Sequence, residues 1–158
     1  MKLITYNTLV MNEGGINLQA GMNFGIRGSY SIVLMSTLRN APYSDEMLEN
    51  GVIKYEGHDQ YRIEKELKKI VDQPIKNKTG TLTQNGKFLL AAEKFKDGKR
   101  DPAKIKVYRK MRIGMWTDMD FYDLIDAFIE HDGKRNVFKF LLRPNFDNFK
   151  PEESDNID

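Results

Sequence analysis

The sequence predicts an α+β domain built on a curved, barrel-like antiparallel β-sheet, with a few short helices beside it. Three observations lead to this fold class. The chain has 158 residues, enough for one domain with a buried core. Several short runs combine β-branched and aromatic residues in the manner of strands. Two further segments repeat apolar residues at helical spacing.

Five runs account for the expected sheet. The first is almost continuously apolar, which is typical of a strand buried on both faces. In the second run apolar and polar residues alternate after an Asn-Gly turn signal, and in the third apolar residues alternate with basic ones. The fourth run fits either a strand or a helix. The fifth ends at a proline. In chain order they are YSIVLMST (30–37), GVIKYEG (51–57), IKVYRKMR (105–112), FYDLIDAFIE (121–130) and NVFKFLLRP (136–144).

Two helices and a tail complete the expected architecture. Residues 61–71 place Ile63, Leu67 and Ile70 on one face opposite lysines and glutamates, and residues 86–97 favour a second, short helix. Residues 145–158 are acidic, polar and contain proline, which is typical of a flexible tail. We therefore expect a domain over residues 1–144 and a C-terminal tail over 145–158.

Composition excludes several classes of protein. The chain contains no cysteine, which excludes disulfides, thiolate metal sites and a cysteine nucleophile. No run approaches the ~18 apolar residues of a membrane-spanning helix, and the N-terminus lacks the apolar core of a signal peptide. These features favour a cytoplasmic protein.

Charge is distributed unevenly along the chain. Residues 54–114 carry 17 basic and 8 acidic side chains, whereas residues 115–158 carry 5 basic and 11 acidic ones. A basic segment of this kind is typical of a face that meets phosphates, and it is equally typical of a solvated lysine-rich surface.

One stretch has an unusual composition for a small domain. In APYSDEMLENGVIKYEGHD (41–59), Tyr43 and Tyr55 bracket a cluster of acids and an Asn-Gly turn signal. Taken alone, Tyr55 fits a half-buried sheet residue, Tyr43 fits a residue that caps the core, and the acids fit the start of a helix.

Six segments in order resemble the SRA (SET- and RING-associated, or YDG) domain, and most closely its bacterial branch, which precedes HNH nuclease domains in modification-dependent restriction enzymes. They run from about residue 19 to 143. The YDG tripeptide itself is absent, and DMDFYDL (118–124) stands in its place. The segments are GIRGSYSIVLMS, YSDEMLENGVIKYEGHD, DQ at 72–73, LTQNGKFLLAA, IKVYR and VFKFLLR.

The resemblance implies a PUA-like β-barrel that binds double-stranded DNA and flips one modified cytosine, 5-methylcytosine or 5-hydroxymethylcytosine, into a pocket. It implies that Tyr43 and Tyr55 sandwich the base and that Asp45 or Glu46 accepts the amino hydrogen of cytosine; we favour Asp45 because its shorter side chain is better preorganised. Glu56 follows Tyr55 where many members have a hydroxyl residue, and backbone groups near Ser36 and Thr37 resemble those that contact the base edge.

The resemblance also implies two loops that grip the duplex. One corresponds to the stretch around Gln19, Ala20 and Gly21. For the other, the insert that contains Lys76, Asn77 and Lys78 fits either a DNA-contacting loop or an exposed turn.

A nuclease site within this chain is not expected. His58 and His131 are the only histidines, and neither stands in an HNH context; His58 is interpreted as structural or exposed. Glu66-Leu67-Lys68, preceded by Asp59, superficially fits a carboxylate and Glu-x-Lys nuclease pattern, but ordinary surface pairing on a helix explains it. We therefore expect a binding domain without a cofactor or metal, whose cleaving partner is either a fused nuclease domain or a separate nuclease subunit. The alternative is a PUA-like module that binds RNA or modified RNA.

Overall fold

The computed structural model describes residues 1–61 and 63–151, and in this part of the chain eight strands and two α-helices are formed. Two 3-10 turns lie at Glu49–Gly51 and Lys65–Leu67. In chain order the elements are β1 (Ile4–Thr5), α1 (Tyr6–Asn12), β2 (Met22–Asn23), β3 (Ser31–Ser36), β4 (Glu46–Met47), β5 (Ile53–Glu56), α2 (Gln84–Lys96), β6 (Lys104–Arg112), β7 (Met115–His131) and β8 (Asn136–Pro144).

The strands form one open, mostly antiparallel sheet in the order β2-β3-β6-β7-β8-β5-β4, and β1 pairs with the start of β7. Strands β2 and β4 end this path without pairing to each other in the described residues, so the predicted barrel is not confirmed. The pair β3 and β6 is parallel, which corrects the prediction of a wholly antiparallel sheet. A long connection that includes α2 separates these two strands, and such a connection is what a parallel pair requires.

All five runs that were predicted or allowed as strands are strands. The segment 121–130, which fitted either a strand or a helix, belongs to β7, a strand of 17 residues. Its first half pairs with β6 and its second half with β8. Glycines with positive φ, Gly114 at +74° and Gly133 at +101°, lie in the turns at its two ends. This segment is extended because each half of β7 forms a hairpin with a neighbouring strand, the first with β6 and the second with β8.

The second predicted helix is confirmed and the first is wrong. Helix α2 begins after Thr83, whose hydroxyl accepts a hydrogen bond from the Gly86 N–H. Among the described residues of segment 61–71, the one helical element is the 3-10 turn at Lys65–Leu67, and Leu67 and Ile70 are exposed. The apolar face of this segment has no core to cover, and its carbonyls are bound instead by the buried Arg135 side chain, at Lys68 and Val71. No described helix is both long and apolar enough to cross a membrane.

Two apolar clusters stabilise the sheet. The main cluster includes Tyr55, Phe88 and Phe140 and lies between α2 and the sheet. The second lies beneath α1 and includes Leu9 and Tyr108. Strand β3 contributes Val33 and Met35 to the first cluster and Ile32 to the second, which confirms that this strand is buried on both faces.

Residues 145–151 leave the last strand and stay close to the sheet. The Asn145 N–H donates to the Phe121 carbonyl, and the ring of Phe149 packs edge-on against the ring of Phe121. The first part of the predicted tail therefore packs on the sheet, and residues 152–158 lie outside the described residues.

Part of the uneven charge of the sequence is paired across the fold. Four lysines of the basic segment pair with acids of β7: Lys54 with Glu130, Lys96 with Asp126, Lys104 with Asp123 and Lys106 with Asp118, at 2.8, 2.8, 2.7 and 3.3 Å. The segment has 17 basic side chains, and for the others both interpretations stay predictions.

Candidate nucleic-acid interface

A cavity of about 560 Å³ opens where β3 ends. One side is the turn at Gln19, Ala20 and Gly21, and another is the loop of residues 38–45 that follows β3. The remaining walls come from β3 itself, His58, the end of β6, and the starts of α1 and β7. The lining residues are Tyr6, Gln19, Ala20, Gly21, Leu34, Met35, Ser36, Leu38, Asn40, Ala41, Pro42, Tyr43, Asp45, His58, Lys110 and Trp116.

Gly21 holds the first of these walls close to the sheet. Its carbonyl accepts a hydrogen bond from the Leu34 N–H at 2.8 Å, and its φ of +80° is one that L side chains rarely adopt. A Cβ at this position would lie 2.9 Å from Cε1 of His58. Glycine therefore allows both the backbone conformation and the close approach of the histidine.

Asp45 is the carboxylate that lines the cavity. Its Oδ2 accepts a hydrogen bond from the Ser36 N–H at 3.1 Å, and its Oδ1 accepts one from the Glu56 N–H at 2.9 Å. Burial raises the pKa of Asp45 to about 6, although the two backbone hydrogen bonds act in the opposite direction. Because two strands hold it, the carboxylate has a fixed orientation and retains lone pairs for another donor.

The structure separates the two acids between which the sequence left a choice. Glu46 lies on β4 with its side chain half exposed, 3.9 Å from Nζ of Lys54, and it lines neither this cavity nor the second one described below. Asp45, the favoured residue, lines both.

Tyr43 presents its ring to the cavity, and both faces of the ring are covered. The imidazole of His58 stacks on it with a centroid distance of 4.3 Å and an interplanar angle of 6°. Nζ of Lys69 lies 4.3 Å from the ring centroid, and because the imidazole covers one face, this ammonium group covers the other. The Tyr43 hydroxyl accepts a hydrogen bond from the Asp59 N–H.

Tyr55 lies in the core and not in the wall of the cavity. Its ring belongs to the main apolar cluster and is 2% exposed. Its hydroxyl is 3.1 Å from the carbonyl oxygens of Gly21 and Leu34 and 3.1 Å from Nε2 of His58. His58 therefore stands between the two tyrosines that the resemblance paired, 6.0 Å from the ring of Tyr55.

Glu56 belongs to a buried ion network behind the cavity. Its carboxylate is 3.0 Å from Nζ of Lys139, which also donates to the Ser44 carbonyl, and 3.8 Å from the guanidinium group of Arg135. A second cavity of about 390 Å³ lies against this network and the loop of residues 38–45, and Ser36, Thr37 and Glu56 line it. The network fixes the loop that carries Tyr43 and Asp45.

His58 is the residue that sequence reasoning missed. Burial lowers the pKa of its imidazole to about 4, so the ring is neutral near pH 7. Its backbone exchanges two hydrogen bonds with the Asn85 side chain, at 2.8 and 2.9 Å. The one available signal was its position two residues after the end of β5, where a side chain can turn back over Tyr55.

The residues predicted to contact DNA fall into two places. Gln19 and Ala20 are exposed at the mouth of the larger cavity. Lys76, Asn77 and Lys78 are exposed on a turn in which the Asn77 N–H and amide bind Thr81, and they line neither cavity. Two basic residues that were not predicted, Arg39 and Lys110, line the smaller and the larger cavity, respectively.

The two acids of the superficial nuclease pattern do not form a common site: one is in ion pairs and the other is exposed. Asp59 pairs with Arg135 and Lys69, each at 2.7 Å, and Glu66 lies exposed in the 3-10 turn. Among residues 1–61 and 63–151, no group of three or more His, Asp or Glu side chains is arranged to hold a metal ion.

No family model and no curated protein sequence matches the chain. Solved structures match it along nearly its whole length. The complex of the SUVH5 SRA domain with hemi-methylated CG DNA is 19% identical, with a TM-score of 0.60 over 96% of this chain and 90% of that one. The chain has the SRA fold. The SUVH5 SRA domain bound to fully hydroxymethylated CG DNA gives the same identity, coverage and TM-score.

The SRA fold of this chain also occurs within a nuclease. The modification-dependent TagI restriction endonuclease is 17% identical, with a TM-score of 0.55 over 93% of this chain and 50% of that one. This chain thus corresponds to half of the TagI chain. These comparisons confirm the fold that the six sequence segments indicated.

Proposed function

We propose that this chain is a DNA-binding module that recognises a modified cytosine, 5-methylcytosine or 5-hydroxymethylcytosine, by flipping the base into the larger cavity. The observation that carries the proposal is the position of Asp45, a partly buried carboxylate fixed by two backbone N–H groups beside Tyr43, at the mouth of a cavity in an SRA fold. The solved neighbours of this fold include complexes with methylated and hydroxymethylated CG DNA.

The chemistry of the cavity suits a cytosine. A base that leaves the duplex loses a few kcal/mol of stacking and pairing, which the cavity must replace. The ring of Tyr43 offers stacking, on the order of 1–3 kcal/mol per base. The Asp45 carboxylate accepts a hydrogen from the exocyclic amino group of cytosine, whereas thymine presents a carbonyl oxygen there and is repelled.

Contacts to the duplex surround the cavity mouth in this proposal. Gln19 and Ala20 lie where a loop would enter the gap left by the flipped base. Arg39 and Lys110 are placed to meet phosphates, and we retain Lys76, Asn77 and Lys78 as a second, more distant contact. Phosphate contacts supply affinity and orientation, whereas the cavity supplies specificity.

The biological role we propose is the specificity part of a modification-dependent restriction system. The TagI endonuclease, in which this fold accounts for half of the chain, supports the role. A nuclease domain or subunit would then perform the cleavage, and this chain would act as a binding domain without a cofactor.

A panel of labelled nucleic acids tests the proposed function. Duplexes and RNAs with a single 5-methylcytosine, 5-hydroxymethylcytosine, N6-methyladenine or no modification are titrated, and the duplexes carry 2-aminopurine next to the modified base. We expect preferential binding to duplexes with a modified cytosine and a rise in 2-aminopurine fluorescence as its neighbour leaves the stack. Tight binding without that rise contradicts base flipping, and a preference for RNA supports the alternative function, a PUA-like module that binds RNA or modified RNA.

Reversing the charges of Arg39 and Lys110 together should weaken the binding of modified and unmodified duplexes alike. The double variant Arg39→Glu/Lys110→Glu should reduce the slope of log affinity against log salt by about two, because each phosphate contact contributes about one. Lys76→Glu/Lys78→Glu alters the net charge by the same amount and serves as the matched comparison. We expect the first pair to have the larger effect in fluorescence anisotropy titrations; the opposite order would place the duplex over residues 76–82.

Acidification should weaken the preference for modified DNA. The pKa of Asp45 is raised to about 6 by burial, with Glu56 acting in the same direction and Lys139 against it. Asp45 is therefore mostly ionised at about pH 7.5 and becomes protonated as the pH falls through 6, when it no longer acts as a charged acceptor. His58 stays neutral over this range because its pKa is lowered to about 4. The ratio of the affinities for modified and unmodified duplexes should fall about fourfold at about pH 5.5.

Asp45→Asn is the control for this titration. Its amide should remove most of the preference and its dependence on pH, since a neutral amide has no proton to gain in this range. The asparagine amide has one acceptor oxygen for the two backbone N–H groups that Asp45 binds, so one of them loses its partner and the protein is destabilised. The midpoint of thermal unfolding is therefore measured for the same variant. A preference that stays constant between about pH 7.5 and 5.5 in the wild-type protein would show that the charge of Asp45 is not used.

A further inference from the structure

His58 occupies a position that a flipped base would need. Its imidazole is planar, neutral and parallel to Tyr43, with the ring centroids 4.3 Å apart. This is the stacking geometry that an aromatic ring offers to a nucleobase. In the DNA-free protein the imidazole of His58 therefore covers the face of the Tyr43 ring that lines the larger cavity.

The surroundings hold the imidazole in this position. Nε2 lies 3.1 Å from the hydroxyl of Tyr55, which also contacts the carbonyls of Gly21 and Leu34. The absence of a Cβ at Gly21 makes room for the ring edge. The fully buried tyrosine thus serves as an anchor for the histidine, which explains why it carries a hydroxyl group in an apolar core.

The other face of Tyr43 does not offer an alternative within the larger cavity. Nζ of Lys69 lies over it and is held by Asp59 at 2.7 Å and by the Pro42 carbonyl at 2.7 Å. That face borders the smaller, polar cavity, which both Lys69 and Arg135 line. A base that stacks on Tyr43 in the larger cavity must displace His58.

We propose that His58 sets the threshold for base flipping: its imidazole takes the place of the base on Tyr43 in the DNA-free protein and must be displaced by the base that is recognised. This inference rests on the proposed function. Displacement costs the same free energy for every base, so it does not alter the ratio of the affinities for the two flipped bases; it keeps an unmodified cytosine, which has less binding energy to offset the cost, in the duplex. The backbone of His58 stays bound to Asn85, so rotation of the side chain is sufficient.

Nuclear magnetic resonance of histidine tests the displacement in the unaltered protein. The chain has two histidines, and a His131→Ala variant assigns their ring signals. The His58 signal should be shifted by the ring current of Tyr43 in the free protein and should lose that shift when a duplex with one 5-methylcytosine is added. An unmodified duplex should leave it in place. A His58 signal that keeps its ring-current shift in a complex whose 2-aminopurine fluorescence has risen would overturn the inference and leave base flipping intact.

Removing the imidazole gives an independent readout. His58→Ala should bind the duplex with 5-methylcytosine roughly three- to tenfold more tightly, as expected when an aromatic contact no longer has to be broken. It should also raise 2-aminopurine fluorescence in the unmodified duplex, whereas exposed His131→Ala should match the wild-type protein. Equal or weaker binding by a folded His58→Ala variant, with wild-type flipping preserved, contradicts the displacement. Absence of flipping in the wild-type protein instead contradicts the proposed function.

Discussion

Tyr55→Ala should lower the free energy of unfolding by about 3–5 kcal/mol, the usual loss when a large buried ring is removed from a core. Tyr55 is 2% exposed and packs in the main apolar cluster with Phe140 and Phe88. The substitution also removes the hydroxyl that contacts Gly21, Leu34 and His58. Unfolding in denaturant, followed by circular dichroism, measures the loss.

Tyr43→Ala is the matched variant that separates stability from recognition. Tyr43 is only partly buried and its ring contacts polar side chains, so we expect a much smaller change in the free energy of unfolding. Its loss should nevertheless remove most of the preference for modified DNA, by about 1–3 kcal/mol of stacking, and leave salt-sensitive nonspecific binding. Tyr43→Phe should retain the preference because the face of the ring carries the interaction.

The opposite result for these two variants would support the arrangement that the resemblance implies, in which Tyr43 and Tyr55 sandwich the base. If Tyr55→Ala remains as stable as the wild-type protein and loses its preference, while Tyr43→Ala keeps it, then Tyr55 is a platform for the base and the core assignment is wrong. Both variants are measured on duplexes that differ only in one methyl group.

Glu13→Ala should destabilise the protein by about 3–5 kcal/mol, because it removes one partner from a buried charged cluster. The Glu13 carboxylate is fully buried and accepts hydrogen bonds from the hydroxyls of Tyr30 and Tyr108. Nζ of Lys106 lies 3.1 Å from it and Nε of Arg27 lies 3.6 Å from it. Without the carboxylate, two phenols and a half-buried ammonium group lose their common partner.

An exposed acid supplies the control for this prediction. Glu66→Ala removes the same charge from the 3-10 turn at Lys65–Leu67 and should change the free energy of unfolding by no more than about 0.5 kcal/mol. Both variants are unfolded in denaturant under identical conditions. A Glu13→Ala variant with the wild-type midpoint would mean that its partners find water or other acceptors.

Patterns that depend on near neighbours could be interpreted correctly from the sequence alone. The burial of β3 on both faces follows from its continuous run of apolar residues, and β8 ends at Pro144 as predicted. The order of six segments indicated the SRA fold, which structural comparison confirms. The choice of Asp45 over Glu46 agrees with the cavity lining, although its role in recognition stays a prediction.

Features that depend on partners far away in the chain were decided only by the tertiary structure. Segment 61–71 has helical periodicity, but the Arg135 side chain binds its carbonyls at Lys68 and Val71. Its apolar residues Leu67 and Ile70 are exposed. Charge composition alone does not indicate that Lys96, Lys104 and Lys106 pair with acids of β7, because the position of α2 and β6 beside that strand is a tertiary feature. The one local signal for His58 is its position two residues after the end of β5, and Glu13 has no local signature. Their environments are assembled from Tyr43, Tyr55 and Gly21 in one case and from Tyr30, Lys106 and Tyr108 in the other, and only folding brings these residues together.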